Sequence, residues 1–363
     1  MKEEGSKKQN TFSLSVVDKD AYTPTSPDEN YSESRDYVNW GRMNNYPQYL
    51  YDIYLECSTL QTILNGCTDF TMAGGIVNNV GLGENVYGDT IADVVEKLVL
   101  DRFIFGGFAL RIKYNMLGEV IEIAHLDYRK CRIDRELSTV YVKNKWAKSN
   151  TNCYDEQFNV FNTETGAEDG VQIFYYRGQR TRGIYPIPDY SASLLSCEVQ
   201  IKCKSFNFNE LDNNFASTGI VNFNNGMPAE TVKKDTESKL IGKYAGHSNA
   251  GRMMISWNED REHRTDFVRL QTDNLPDRYK NVAEASREDI FISMRAHPQL
   301  FGMSIPTGFA AIEYDEAYNI LYDTHISKRQ QEVMRVFSKI FEKSDAIVFK
   351  TQKRTKSNEN EQS

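Results

Sequence analysis

At Phe108 the apolar spacing of this chain switches from the 3.6-residue period of a helix to the two-residue period of a strand, which ties each side of the switch to a different kind of structure. Upstream, Ile91, Val94, Val95, Leu98 and Val99 form a helical stripe behind Thr90, which can cap it, and Gly106-Gly107 ends the run. Downstream, Phe108, Leu110, Ile112 and Tyr114 alternate with Ala109, Arg111 and Lys113. Asn115-Met116-Leu117-Gly118 then turns the chain into Val120–Leu126, so the spacing predicts a β-hairpin. Further strands are expected at 140–142 and 171–176, and helices leading into a mainly antiparallel sheet give an α+β fold class. The polar stretch 146–168 reads as a surface insertion.

The remaining segments are mostly helical. Residues 1–35 are polar, with few apolar anchors, and read as a mobile arm. Asn44-Asn45-Tyr46-Pro47 then supplies a cap and a first-turn proline for a helix ending near Gly66. A longer helix is expected over 188–216, with Tyr190, Leu194, Leu195, Val199, Cys203 and Phe206 on its apolar side. A small α/β insert follows: a strand and turn at 218–228, a helix at 229–245, and strands at 252–257 and 265–270. A second long helix, 274–295, carries Arg278, Lys280 and Arg287 among Glu284, Glu288 and Asp289, a spacing that predicts ion pairing along its surface. The last helix, 315–343, offers Ile320, Leu321, Val333, Val336, Phe337 and Ile340 for packing, and a polar tail closes the chain.

Between the last two helices lies a connection too apolar for an ordinary surface loop. Leu300, Phe301, Met303, Ile305 and Phe309 must be covered or used. Either the loop tucks under its own domain, or it meets a partner or lines a channel.

Composition excludes more than it identifies. At 363 residues two structural regions are expected. The formal net charge of −8 argues against tight, globally basic binding of nucleic acid. Six cysteines without a C-x-x-C pair read as reduced structural thiols, and no apolar run approaches the ~20 residues of a membrane span. The five histidines stand far apart without metal-ligand spacing, and there is no phosphate-cradling glycine loop or nucleophile elbow. Asp127, after a strand, reads as a solvated or capping carboxylate. No catalytic residue, metal or cofactor is expected.

The order of these segments resembles the portal proteins of tailed bacteriophages, in the PBSX-type and HK97-like branch. The likeness is carried by 44–75 (N-N-Y-P-Q-Y-L-Y-D-I-Y-L, then G-G), 105–127 with F-G-G-F-A-L-R-I-K-Y-N-x-x-G, 185–228, 246–256 (G-H-S-N-A-G-R-M-M-I-S) and 290–308. It implies a portal fold with an α/β wing at 36–187, stem helices at 188–216 and 273–296, a small clip at 217–272, and an apolar tunnel loop at 297–314. Residues 315–343 would form a C-terminal wing or crown-base helix, with a disordered arm at 1–35, a disordered tail at 344–363 and a reduced crown. Met303, Ser304, Ile305, Thr307, Gly308 and Phe309 would then face DNA in the channel, and Asn222, Phe223, Asn224 and Asn225 would meet a neighbouring subunit or the packaging motor. The implied function is that of a non-enzymatic, dodecameric ring at the capsid vertex of the virion, assembled in host cytoplasm, through which double-stranded DNA passes without being gripped. Its implied partners are the terminase large subunit, the major capsid and scaffold proteins and a head-tail adaptor, with no membrane. The alternatives are a nucleic-acid-processing enzyme or an adaptor of the same packaging machinery.

Overall fold

A computed structural model of the chain describes residues 28–146, 152–181, 183–212, 220–224, 226, 228–236, 254–258, 262, 275–303 and 314–350. Pro47 occupies the first turn of α1 (Tyr46–Glu56), where its missing N–H is one the helix would leave unpaired anyway. The apolar periodicity predicts a single helix to Gly66. Instead Cys57 takes an extended backbone, which breaks the run, and α2 (Ser58–Met72) continues past Gly66. The chain next reaches α3 (Ile91–Phe105), whose capping box is complete: Asp93 N donates to Thr90 Oγ1, and Thr90 N donates to Asp93 Oδ2 at 2.8 Å. Gly106, at φ +85°, closes the helix in the left-handed region. Gly107 must also lack a side chain, since a Cβ there would lie 2.3 Å from the Tyr176 carbonyl oxygen.

Three short strands come first in the chain: β1 (Glu29–Asn30), β2 (Asn39–Trp40) and β3 (Ile76–Asn78). The main sheet is built from β4 (Phe108–Tyr114), β5 (Val120–Leu126), β6 (Cys131–Ile133), β7 (Thr139–Val142), β8 (Glu156–Val160) and β9 (Val171–Tyr176). Its strand order is β5-β4-β9-β8-β7-β6, antiparallel except for the β8–β9 pair. The predicted hairpin is present, with Ala109 opposite Leu126 and Ile112 opposite Ile123. Trp40 stacks on Tyr185 at 4.4 Å and meets Tyr128 edge-on, so an aromatic cluster covers one face of the sheet.

Two expectations fail for one physical reason: the signal of a short strand lies in its partner. The supposed insertion 146–168 holds β8, which joins β7 to β9, and a short helical turn, α4 (Gly166–Asp169). The arm is ordered from residue 28: β1 pairs with β2, and the Glu29 carboxylate accepts the backbone N–H groups of Ile184 and Tyr185. Residues 1–27 lie outside the described residues.

Past the sheet, Ser191–Ser193 forms a 3-10 turn and α5 (Leu194–Asp212) starts there, six residues later than the sequence predicts. The small insert holds β10 (Ile220–Phe223) and β11 (Met254–Trp257), and α6 (Leu275–Ser293) returns to the main body. The expected strand at 265–270 and the far end of the 229–245 helix lie outside the described residues. The last helical stretch comprises α7 (Tyr314–Leu321), a π turn (Tyr322–Ile326) and α8 (Ser327–Phe341). Leu321, Val333, Val336, Phe337 and Ile340 are buried as predicted, but Ile320 is 47% exposed. The tail also departs from expectation, because β12 (Ile347–Phe349) pairs antiparallel with β3.

Helix α8 is fixed to the main body by charge. Arg102 Nε donates to Glu332 Oε2 at 2.9 Å, and Arg329 Nη1 donates to Glu332 Oε1 at 2.8 Å. Arg329 also bonds Asp189, whose other oxygen accepts from Arg180 Nη1 at 3.0 Å. His325, on the π turn, is 2% exposed, and burial pulls its pKa down from the ordinary value to about 4. Its folded pKa is depressed, so below pH 6.5 the unfolded chain takes up a proton that the folded chain refuses, and stability falls with pH. Unfolding by urea should lose about 3 kcal/mol from His325 between pH 6.5 and 4. His325→Leu should flatten that part of the profile, and an unchanged profile would mean that His325 is protonated in the fold.

Candidate functional site

Two long helices leave the main body side by side. Ser293 Oγ bonds Ser193 Oγ at 2.8 Å, and Ser196 Oγ donates to Asp289 at 3.1 Å, so the sequence runs upward along α5 as it runs downward along α6. Near the body α5 buries polar groups. Tyr49 Oη donates to Glu198 Oε1 at 2.6 Å, and the Cys57 thiol bonds Gln200 Oε1 at 3.4 Å. A hydrogen bond with Cys197 pulls the Cys57 thiol below its ordinary pKa, and the same contact, with burial, pushes Cys197 up.

Further out the pattern inverts. Every residue from Lys204 to Phe208 is exposed, as are 280–282, 284 and 285 on α6. Leu195 is 65% exposed, Phe208 67% and Ile292 62%, so the helix pair presents large apolar side chains that its own body does not cover. Leu195 and Phe206, both read from sequence as core-facing, point outward instead. The cleft between the helices, about 350 Å³, holds Cys203, Lys204, Arg287 and Met303. Arg287 was expected to be ion-paired but has no ion pair among the described residues.

The apolar loop divides at Met303. Pro298–Phe301 is a 3-10 turn with Leu300 buried, and Phe301 packs so closely on Gly66 that a Cβ there would come within 2.7 Å of the ring. Phe70 and Phe291 flank the same ring at 6.1 Å. This first part is tucked under its own domain. Met303 is half-buried against the core, whereas Ser304, Ile305, Thr307, Gly308 and Phe309 lie outside the described residues.

In the small insert, β10 and β11 run parallel with Phe223 opposite Trp257, and the two rings stack at 4.5 Å. Asn258 N donates to the Phe223 carbonyl, and Asn258 Nδ2 donates to Asn224 Oδ1 at 3.0 Å. Asn222 lies within β10 and Asn225 outside the described residues. Trp257 and Asn258 thus hold the predicted segment in shape. The strand at 252–257 was legible in sequence, but its parallel pairing with 220–223 was not.

Among the described residues no group of His, Cys, Asp and Glu could hold a metal, and no helix is long and apolar enough to cross a membrane. Asp127 caps the turn at Tyr128–Lys130 and pairs with Arg129 at 2.7 Å, a structural role.

No family model matches the chain, and no curated protein matches it. Its fold resembles that of a chain in the neck of a native gene transfer agent (GTA) particle computed with C12 symmetry: TM-score 0.51, 14% identity, covering 83% of this chain and 83% of that one. An HK97 family phage portal protein from Corynebacterium diphtheriae aligns at TM-score 0.49 and 11% identity, over 82% of this chain and 92% of that one. The GTA neck chain shares this fold.

Removing the Phe223 ring should uncover Trp257 while sparing the main body. Phe223→Ala should shift part of the tryptophan emission to the red and remove the roughly 0.5–1.5 kcal/mol of that ring pair. The main thermal transition should not move, and unchanged emission would show that the rings do not stack in solution.

Proposed function

We propose that this chain is a portal subunit that closes into a ring, dodecameric in the particle, around a channel for double-stranded DNA. One observation carries the reading: a chain with the fold of a GTA neck subunit sends out two helices whose apolar side chains its own body leaves uncovered. A neighbouring copy would cover Leu195, Phe208 and Ile292. In this reading the α+β body is the wing, α5 and α6 are the stem, and the β10–β11 insert is the clip, with Phe223 and Asn224 near the surface that meets the next subunit or the terminase large subunit. Residues 304–309 would belong to the tunnel loop, with Met303 the last described residue before it.

The channel role is mechanical. A net charge of −8 suits a wall past which a polyanion slides, because each phosphate contact made would have to be broken again during transport. Movement of the DNA is the work of the terminase, and this chain has no catalytic step of its own. Capsid and scaffold proteins and a head-tail adaptor complete the vertex of the virion.

Leu195→Asp and Phe208→Asp test the ring. Both sites are exposed, so each substitution should change subunit stability by no more than about 0.5 kcal/mol. Light scattering and negative-stain images should show closed rings for the parent chain and smaller species for the variants. A well-folded parent that stays monomeric at high concentration would overturn the reading. Thr307→Glu tests the loop: a ring of added negative charge should lower DNA packaging while the thermal midpoint stays put. Loss of stability with packaging intact would return the whole loop to the core.

A further inference from the structure

Apart from the helix pair, a concavity of about 280 Å³ opens where α3, the segment before α5, the end of α6 and the π turn converge. Six basic side chains line it against two carboxylates, and both carboxylates are already engaged. Glu332 is held by Arg102 and Arg329, and Asp189 by Arg329 and Arg180. Arg295, Lys328 and Arg335 are exposed at the rim and have no ion pair among the described residues.

The floor carries unmet hydrogen-bonding capacity. His325 is 2% exposed, and neither ring nitrogen makes a hydrogen bond of good geometry, although the Met294 backbone lies near enough to favour its protonated form; the buried Nε of Arg329 has no partner. Unsatisfied buried polar groups are costly and rare in native structures. Two backbone irregularities border the same space. His325 sits on a single π turn, a feature frequent at functional sites, and Arg295 holds φ +49°, where a non-glycine residue is strained. A wholly structural network would explain the five paired charges. It would not explain three unpaired rim cations, a buried histidine with no side-chain hydrogen-bond partner and an orphaned guanidinium N–H around one cavity.

We propose that this basin binds a phosphate-class oxyanion, either a phosphate of a nucleic-acid backbone or a free phosphate. Its oxygens would accept from Arg329 Nε and a His325 ring N–H, with Arg295, Lys328 and Arg335 closing over it. Asp189 faces His325 and favours its proton, whereas Arg329 and Arg295 oppose it. A bound anion offsets those two cations, so the ligand and a proton on His325 bind together. The proposal is independent of the ring reading, because the whole basin lies within one chain.

Calorimetric titration of the full chain with inorganic phosphate tests it. Saturable binding that tightens from pH 8 to pH 6 is expected. The double variant Lys328→Glu/Arg335→Glu, both positions exposed, should bind at least about tenfold more weakly with its thermal midpoint retained. His325→Leu should lose the tightening toward pH 6. Competition by a short DNA duplex would assign the site to backbone phosphates, and failure to compete would assign it to a free anion. Absence of saturable binding, affinity unaltered in the double variant, or equal displacement by acetate would overturn the proposal.

Discussion

Four charges buried together decide how this chain is assembled. Arg102, Glu332 and Arg329 are each no more than 5% exposed, the Asp189 side chain is 9% exposed, and such groups persist inside a protein only when paired with good geometry. Their positions in the chain are what matters. Arg102 belongs to α3, Asp189 precedes α5 by five residues, and Arg329 and Glu332 sit one turn apart on α8. Satisfying these charges requires the C-terminal helix to lie against α3 and against the root of α5. Removing one partner would strand another in the interior at a cost of roughly 3–5 kcal/mol. The network therefore sets the base from which α5 leaves, and Arg295, lining the same basin, shows that α6 returns to it.

What the sequence made legible was local. Thr90 with Asp93, Gly106 and the Phe108–Leu126 hairpin all announce themselves within a few residues, because capping and alternation are short-range effects. The strand β8 did not. Glu156-Gln157-Phe158-Asn159-Val160 is polar at three of its five positions and looks like a loop until β7 and β9 are beside it. The same holds for β1 and β12, whose two or three residues carry no pattern of their own. Cys57 broke a run that periodicity alone would continue, since an extended residue between two apolar stripes leaves little trace in spacing.

The candidate sites were legible in unequal measure. Residues 218–228 read as a strand and turn, and Asn222 and Phe223 lie in β10 with Asn224 just past it, but the stacking of Phe223 on Trp257 joins residues 34 positions apart. The basin around His325 was invisible, because its lining runs from residue 102 to residue 335 and no motif links the two ends.

The inversion along α5 is the most informative departure from the usual pattern of apolar residues inside and polar residues outside. Over its first turns the helix buries Glu198 and Gln200 and leaves Leu195 in solvent, and further along it exposes Phe208. Glu198 is affordable inside because Tyr49 donates to it and Lys202 lies 3.6 Å away. Leu195 and Phe208 have no comparable account among the described residues. A sequence that is locally consistent nearly everywhere else breaks its own rule along one helix, and such breaks concentrate where function sets the requirement. The cost of large apolar side chains in water is removed when a second surface covers them, which is what the proposed ring would supply along this helix pair.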